Sequence, residues 1–268
     1  MIPYPNIDPV IFRIGPFAVR WYGIMYLVGF LCAWILVKRE IKRQLVTPER
    51  VNLELAHLES LMAYLIIGVI LGGRIGYCLF YNLDYFLEHP LEIFATWHGG
   101  MSFHGGAIGA IAAGLIFCKR YKESFFKWAD RFVWPAPIGL GLGRIANFIN
   151  GELFGRPSDV PWAMIFPGGG PIPRHPSQLY EALLEGPILF LLLSLLKGKD
   201  RYPGGLFSLF LIIYGFLRFF AEFFREPDPQ LGFILFGWMT MGQILSLCMI
   251  CVGIILFLIT QKPRTQRI

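Results

Sequence analysis

GLGLGRIANFINGELFGR, residues 139–156, has the composition of a membrane span that changes character halfway along. Gly139 to Gly143 are small and apolar; then come Arg144, Asn147, Asn150 and Glu152. A guanidinium at the middle of a bilayer costs roughly 3 kcal/mol on insertion scales, so such residues face a partner or a cavity and mark a functional site. Read as a soluble GxGxG nucleotide loop, the stretch would need a preceding strand. No strand pattern precedes it, and its flanks are apolar on both sides. The fold therefore turns on whether the rest of the chain is also built for lipid.

It is. Of 268 residues, 55% are hydrophobic and 16% charged, against about 25% charged in soluble domains. The excess falls in runs at 20–37, 58–80, 102–118, 132–150, 176–196, 204–224 and 238–260. Each is long enough to cross a core of about 30 Å as a helix. The runs are continuous, which excludes the alternating ten-residue segments of a β-barrel. Residues 38–50, 119–131, 197–201 and 262–267 carry 16 lysines and arginines; the other connections carry Arg13, Arg20, Arg156, Arg174 and Arg225. By the positive-inside rule the N-terminus faces out and the C-terminus in. The net charge of +6 is then topological, and no nucleic-acid partner is expected. No cleavable signal pattern is present, so the first span is expected to direct insertion. The expected architecture is all-α and polytopic: seven transmembrane helices in one integral membrane domain over residues 1–268. An external loop or head is expected over about 151–175, where prolines and glycines are too dense for regular helix. Cys248-x-x-Cys251 sits in an apolar run without a histidine or second pair, so packing is expected there rather than metal or redox chemistry.

Three arginines remain inside the runs: Arg74, Arg144 and Arg218. Arg218, Glu222 and Arg225 lie at i, i+4 and i+7, on one helix face. One glutamate cannot neutralise two arginines, so a surplus positive charge is expected near the outer end of that span. Arg144 and Asn147 share a face by their spacing of three. His98 and His104 each precede a Gly-Gly pair, which favours an irregular helix entry lining a cavity; a zinc site would need more ligands. Glu181 and Glu185 share a face and are candidate counter-charges for an intramembrane arginine such as Arg74. A buried positive cluster asks for an anion, and the plentiful anion with an apolar body in a membrane is a phospholipid. A transporter or flippase of an anionic phospholipid or organic anion would use the same cavity, although no inverted repeat is evident.

Five stretches extend this reading: RWYGIMYLVGF (20–30), HGGMSFHGG (98–106), GRIANFINGELFGR (143–156), RHPSQLYEALLEG (174–186) and GFLRFFAEFFREPD (215–228). Together, and in this order, they resemble the motifs of the bacterial prolipoprotein diacylglyceryl transferase family. The resemblance implies a seven-span enzyme of the bacterial inner membrane with its active site towards the outer leaflet. It implies transfer of the diacylglyceryl group of phosphatidylglycerol to the lipobox cysteine of a preprolipoprotein, forming a thioether and releasing glycerol 1-phosphate. It carries functional roles onto Tyr26, His104, Arg144, Asn147, Glu152, Gly155, Arg218 and Glu222; His98 is not carried over. Arg144 and Arg218 would meet the lipid phosphate, Glu222 would orient Arg218, and His104 would serve as base or stabilise the thiolate. Tyr26 would position head group or thiol. No metal or cofactor is expected, because arginines supply the charge.

Overall fold

The computed structural model describes residues 2–15, 17–44, 46–96, 99–198, 202–227 and 232–260. His98, and Lys199, Arg201, Lys262, Arg264 and Arg267 of the charge count, lie outside the described residues. The chain opens with an antiparallel hairpin of β1 (Val10–Ile14) and β2 (Phe17–Arg20). Helices follow: α1 (Trp21–Gln44), α2 (Pro48–Tyr81), α3 (Leu83–Glu88), α4 (Phe103–Tyr121), α5 (Phe125–Val133), α6 (Ala136–Asn150), α7 (Ser177–Leu183), α8 (Leu189–Leu196), α9 (Gly205–Ala221) and α10 (Met241–Thr260). A π-helical turn, Leu184–Ile188, joins α7 to α8. Each of the seven apolar runs contains helix, with 132–150 divided between the end of α5 and α6. Among the described residues, four stretches are long and apolar enough to cross a membrane: Trp21–Gln44, Pro48–Tyr81, Ser177–Leu196 and Met241–Thr260. α6 is shorter, at 15 residues, because Pro135 stands before its first residue and Gly151 ends it in the left-handed region at φ 67°.

The chain packs as two compact units, Trp34–Lys127 and the combination of Met1–Ala33 with Trp128–Ile268. In the first unit, α2 and α4 meet through glycines. A Cβ on Gly76 would stand 2.8 Å from the Gly105 Cα, and one on Gly68 would stand 2.6 Å from the Ala113 Cβ. Small residues at this spacing let the backbones touch, which replaces the hydrophobic drive that lipid does not supply. Near the start of α2, His57 Nδ1 lies 3.0 Å from Glu123 Oε1 and Lys127 Nζ 2.8 Å from Glu54 Oε1, tying α2 to the α4–α5 connection.

The second unit holds α6 to α10 and the 151–175 segment. Gly141 of α6 abuts Gly186, where a Cβ would stand 2.9 Å from the opposing Cα. Gly186 has non-helical φ/ψ, Pro187 follows it, and the resulting π-helical turn redirects the helix. α9 packs on α10 through Gly215 and Gly253. Asp130 caps α9, its carboxylate accepting from Gly204 N at 2.6 Å and Phe207 N at 2.7 Å. Residues 151–175 fold as turns with isolated bridges, Gly155 to Arg225 and Arg174 to both Pro157 and Met164. They close over a small core of Phe148, Met164 and Phe166 with Tyr4, Phe154 and Leu179 against it. Cys248 and Cys251 are exposed, which corrects the packing expectation. The buried face of α10 is Gln243, Ser246, Ile250 and Gly253, and both cysteines project away from it.

Candidate active site

α6, α7, the π-helical turn and α9 converge on a cluster of charges. Arg144 Nε donates to Glu185 Oε2 at 2.9 Å, and its Nη1 lies 2.9 Å from Glu181 Oε2. Arg218 Nη1 donates to the same Glu181 oxygen at 2.6 Å and to Glu185 Oε1 at 3.5 Å. Its Nη2 lies 2.7 Å from Glu222 Oε2, and Arg225 Nη1 is 3.8 Å from that same oxygen. Thr240 Oγ1 donates to Glu222 Oε1 at 3.0 Å. Gly242 leaves room for that carboxylate, since a Cβ there would stand 2.6 Å from Oε1.

Two expectations are corrected here. Glu181 and Glu185 pair with Arg144 and Arg218, not with Arg74. With those carboxylates counted, Arg144, Arg218 and Arg225 face Glu181, Glu185 and Glu222, so the cluster has no formal surplus of positive charge. The spacing of Glu181 and Glu185 was visible in the sequence. Their partners lie 37 and 41 residues away, and no local pattern reports that distance.

Formal balance does not use every donor. A guanidinium has five N–H groups. Among the described residues, Arg144 Nη2 has no protein partner, and the side chain keeps 18% of its surface exposed. Arg218 is more enclosed, at 10%. Arg144 is thus held by two carboxylates through Nε and Nη1, and its Nη2 is left to donate. A guanidinium nitrogen fixed before a ligand arrives suits a phosphate oxygen.

Beyond Arg144, α6 ends in a second polar group. Asn147 Nδ2 and Asn150 Nδ2 both donate to Glu152 Oε1, at 2.9 and 3.2 Å. Gln178 Nε2 donates to the Glu152 carbonyl at 2.7 Å, and Ser177 Oγ to that of Leu153 at 3.1 Å. Tyr4 Oη donates to the Phe148 carbonyl at 2.7 Å, satisfying a helix-end acceptor. Gly155 is wedged: a Cβ would stand 2.5 Å from the carbonyl oxygens of both His175 and Phe224. Gly155 N donates to His175 O at 2.9 Å, and Arg156 N to Phe224 O at 2.9 Å, stitching the head to the end of α9.

Tyr26 on α1 is 42% exposed. Its ring packs against that of Tyr22, with centroids 5.1 Å apart, and it lies within electrostatic range of Arg144. Tyr214, one turn before Arg218 on α9, faces Arg144, Arg218, Glu181 and Glu185. The sequence reading missed it; a polar residue every fourth position (214, 218, 222) through an apolar run was the available signal. His104 belongs to the other unit. It stands exposed in the first turn of α4, where Ser102 Oγ caps the helix by accepting from Gly105 N at 3.2 Å. Arg74 contacts none of the carboxylates named above and is surrounded by backbone carbonyls. Among the described residues no three His, Cys, Asp or Glu side chains form a metal-binding group.

Known proteins resemble this chain over nearly its whole length. A family model described as prolipoprotein diacylglyceryl transferase matches residues 9–259. Curated relatives bear the name phosphatidylglycerol–prolipoprotein diacylglyceryl transferase. One from Desulfotalea psychrophila is 53% identical, covering 97% of this chain and 96% of the relative. One from Geobacter sulfurreducens is 51% identical, covering 97% and 98%. One from Pseudomonas aeruginosa is 52% identical, covering 96% and 94%. The matched range runs from before the hairpin to α10, and Arg144, Glu181, Glu185 and Arg218 fall inside it. The chain belongs to the prolipoprotein diacylglyceryl transferase family.

Proposed function

We propose that this chain transfers the diacylglyceryl group of phosphatidylglycerol to the lipobox cysteine thiol of a preprolipoprotein. The sulfur bonds to the glyceryl carbon, the bond from that carbon to the phosphate oxygen breaks, and glycerol 1-phosphate departs. The thiol proton goes to a base. A thiol has an ordinary pKa near 8.5, so it needs that base or a positive field. The leaving phosphate gains about one negative charge, which preorganised donors stabilise best.

The observation that carries the reading is the geometry of Arg144. Glu181 and Glu185 hold it by two nitrogens, and Nη2 is left for an anion. On this reading Arg144 touches the phosphate. Arg218, with both terminal nitrogens on carboxylates, supports Glu181 and the local field and meets the phosphate only by rearranging; Glu222 orients it. Asn147 and Glu152 order the end of α6, and Gly155 seats the head against α9, so these three shape the lipid site chiefly through backbone position. Tyr26 positions head group or thiol, and His104 takes the thiol proton or stabilises the thiolate.

We also read the chain as a single integral membrane domain of seven spans with residues 151–175 as its external head. The charge bias of the connections supports an N-terminus outside, a C-terminus in the cytoplasm and a site towards the outer leaflet of a bacterial inner membrane. The test is mass spectrometry of a lipobox peptide incubated with the purified chain in phosphatidylglycerol-containing vesicles. A diacylglyceryl adduct on the cysteine is expected. Movement of labelled phospholipid with no adduct, in folded and lipid-replete protein, would replace the transferase with a transporter.

A further inference from the structure

Arg74 is 5% exposed on α2, and its hydrogen bonds use the whole guanidinium. Nε donates to Ile93 O at 2.8 Å. Nη1 donates to Gly99 O at 2.6 Å and Gly100 O at 3.1 Å. Nη2 donates to Glu92 O at 2.5 Å and Ala95 O at 3.3 Å. Five N–H groups meet five carbonyls, which exhausts the side chain's donors. Phe86 and Tyr77 flank it, with ring centroids 5.0 and 6.0 Å from Cζ. No N–H remains for a phosphate, so Arg74 is not a lipid ligand.

Its acceptors lie in the chain that leads into α4. Gly99 and Gly100 turn there at φ 88° and 79°. Two residues later Ser102 N donates to Gly73 O at 2.8 Å, on the residue beside Arg74. Ser102 then caps α4 through Gly105 N, and His104 stands between them. Gly76 packs 3.2 Å, by its would-be Cβ, from the Ser102 Cβ. A single side chain thus holds residues 92–95 and 99–100 against α2, and the neighbouring backbone sets where α4 begins.

We propose that Arg74 is a positioning residue for His104, fixing the entry to α4 and so the place of the imidazole. The proposal rests on the reading of His104 as the group that accepts the thiol proton or stabilises the thiolate. Lysine preserves the charge but has three donors on a rotating ammonium, so at least two of the five carbonyls lose their donor. A displacement of about 1 Å costs on the order of 100-fold in turnover.

The experiment compares Arg74→Lys, His104→Ala and the double variant, in the full chain in phosphatidylglycerol vesicles with a lipobox peptide. Arg74→Lys is expected to lower kcat on the order of 100-fold, with KM for peptide and lipid little changed. Hydrogen–deuterium exchange is expected to rise in peptides spanning 92–106 and to stay at the wild-type level in 144–150 and 214–222. The double variant is expected to be no worse than His104→Ala, since both act through one group. Wild-type kcat in Arg74→Lys, a loss wholly in KM, or a loss without altered exchange at 92–106 overturns the proposal while His104→Ala stays inactive. Near-normal turnover in His104→Ala instead removes the assignment of His104, and the proposal with it.

Discussion

Two buried arginine sites in this chain solve the same problem differently. Arg144 and Arg218 are met by carboxylates, Glu181, Glu185 and Glu222. Arg74 is met by five backbone carbonyls. The carboxylates cancel charge yet leave Nη2 of Arg144 without a protein partner among the described residues, so that site holds a cation firmly and keeps a donor in reserve. The carbonyls exhaust every donor of Arg74 and offer only partial charges in return, so that site is closed and its strength goes into holding a loop. A guanidinium in a membrane protein is therefore read by what its N–H groups touch, not by its depth.

The comparison breaks first at Glu185, which is fully buried. Glu185→Ala leaves Arg144 Nε without its acceptor and the cluster with an uncompensated cation. A cost of about 3–5 kcal/mol is expected, read as a large fall in melting temperature in detergent. A melting temperature near wild type would mean that the carboxylates do not carry the cluster. Next is Arg144→Lys, which keeps the charge but loses the fork whose two carboxylate bonds aim Nη2. Adduct formation is expected to fall on the order of 100- to 1000-fold, the effect of losing one preorganised donor. Near-normal turnover in the folded variant would remove the phosphate assignment. A smaller effect is expected at the glycine contact that lets α6 and α7 approach. Gly141→Ala puts a Cβ 2.9 Å from the Gly186 Cα and 3.2 Å from the Ala182 carbonyl. Overpacking of this kind costs about 1–3 kcal/mol, and turnover should fall with it as Glu181 and Glu185 are pushed from Arg144.

The smallest effect concerns pH. Burial holds the His175 imidazole below its ordinary range, so the folded state favours the neutral ring. The unfolded chain binds more protons below about pH 6.5, and stability contributed by neutral His175 is lost as pH falls through that range. His175→Gln is expected to flatten the decline of melting temperature between pH 7.5 and 5.5. An unchanged slope would place that pH dependence elsewhere.

Much of this was legible before the structure. The apolar run 204–224 contains α9, Gly205–Ala221, and 238–260 contains α10, Met241–Thr260, because lipid-length hydropathy is a local property. The run 132–150 begins before α6, because Phe132 and Val133 end α5 and Trp134 and Pro135 separate the two helices. Density of proline and glycine foretold that 151–175 would be irregular, but not that Tyr4 would reach back to its core. Arg144 and Arg218 stood out because charge is rare in such runs. Arg74 stood out equally, and nothing in its neighbourhood distinguished a closed clamp from a ligand site. The surplus-charge argument failed because it counted only charges on one helix.

The amino-acid sequence by itself determined the elements: where chain is apolar enough for helix, where glycine and proline end it, and which residues are too polar to be there by chance. Its motifs also determined the family, through their order along the chain. Only the tertiary structure decided the partners. Whether Glu181 meets Arg74 or Arg218 depends on the rotation of each helix about its axis and on contacts such as Gly141 against Gly186, which link positions 45 apart in the chain. Coulomb energy falls with distance through space, and distance through space is set by packing between helices, a property that no local stretch contains.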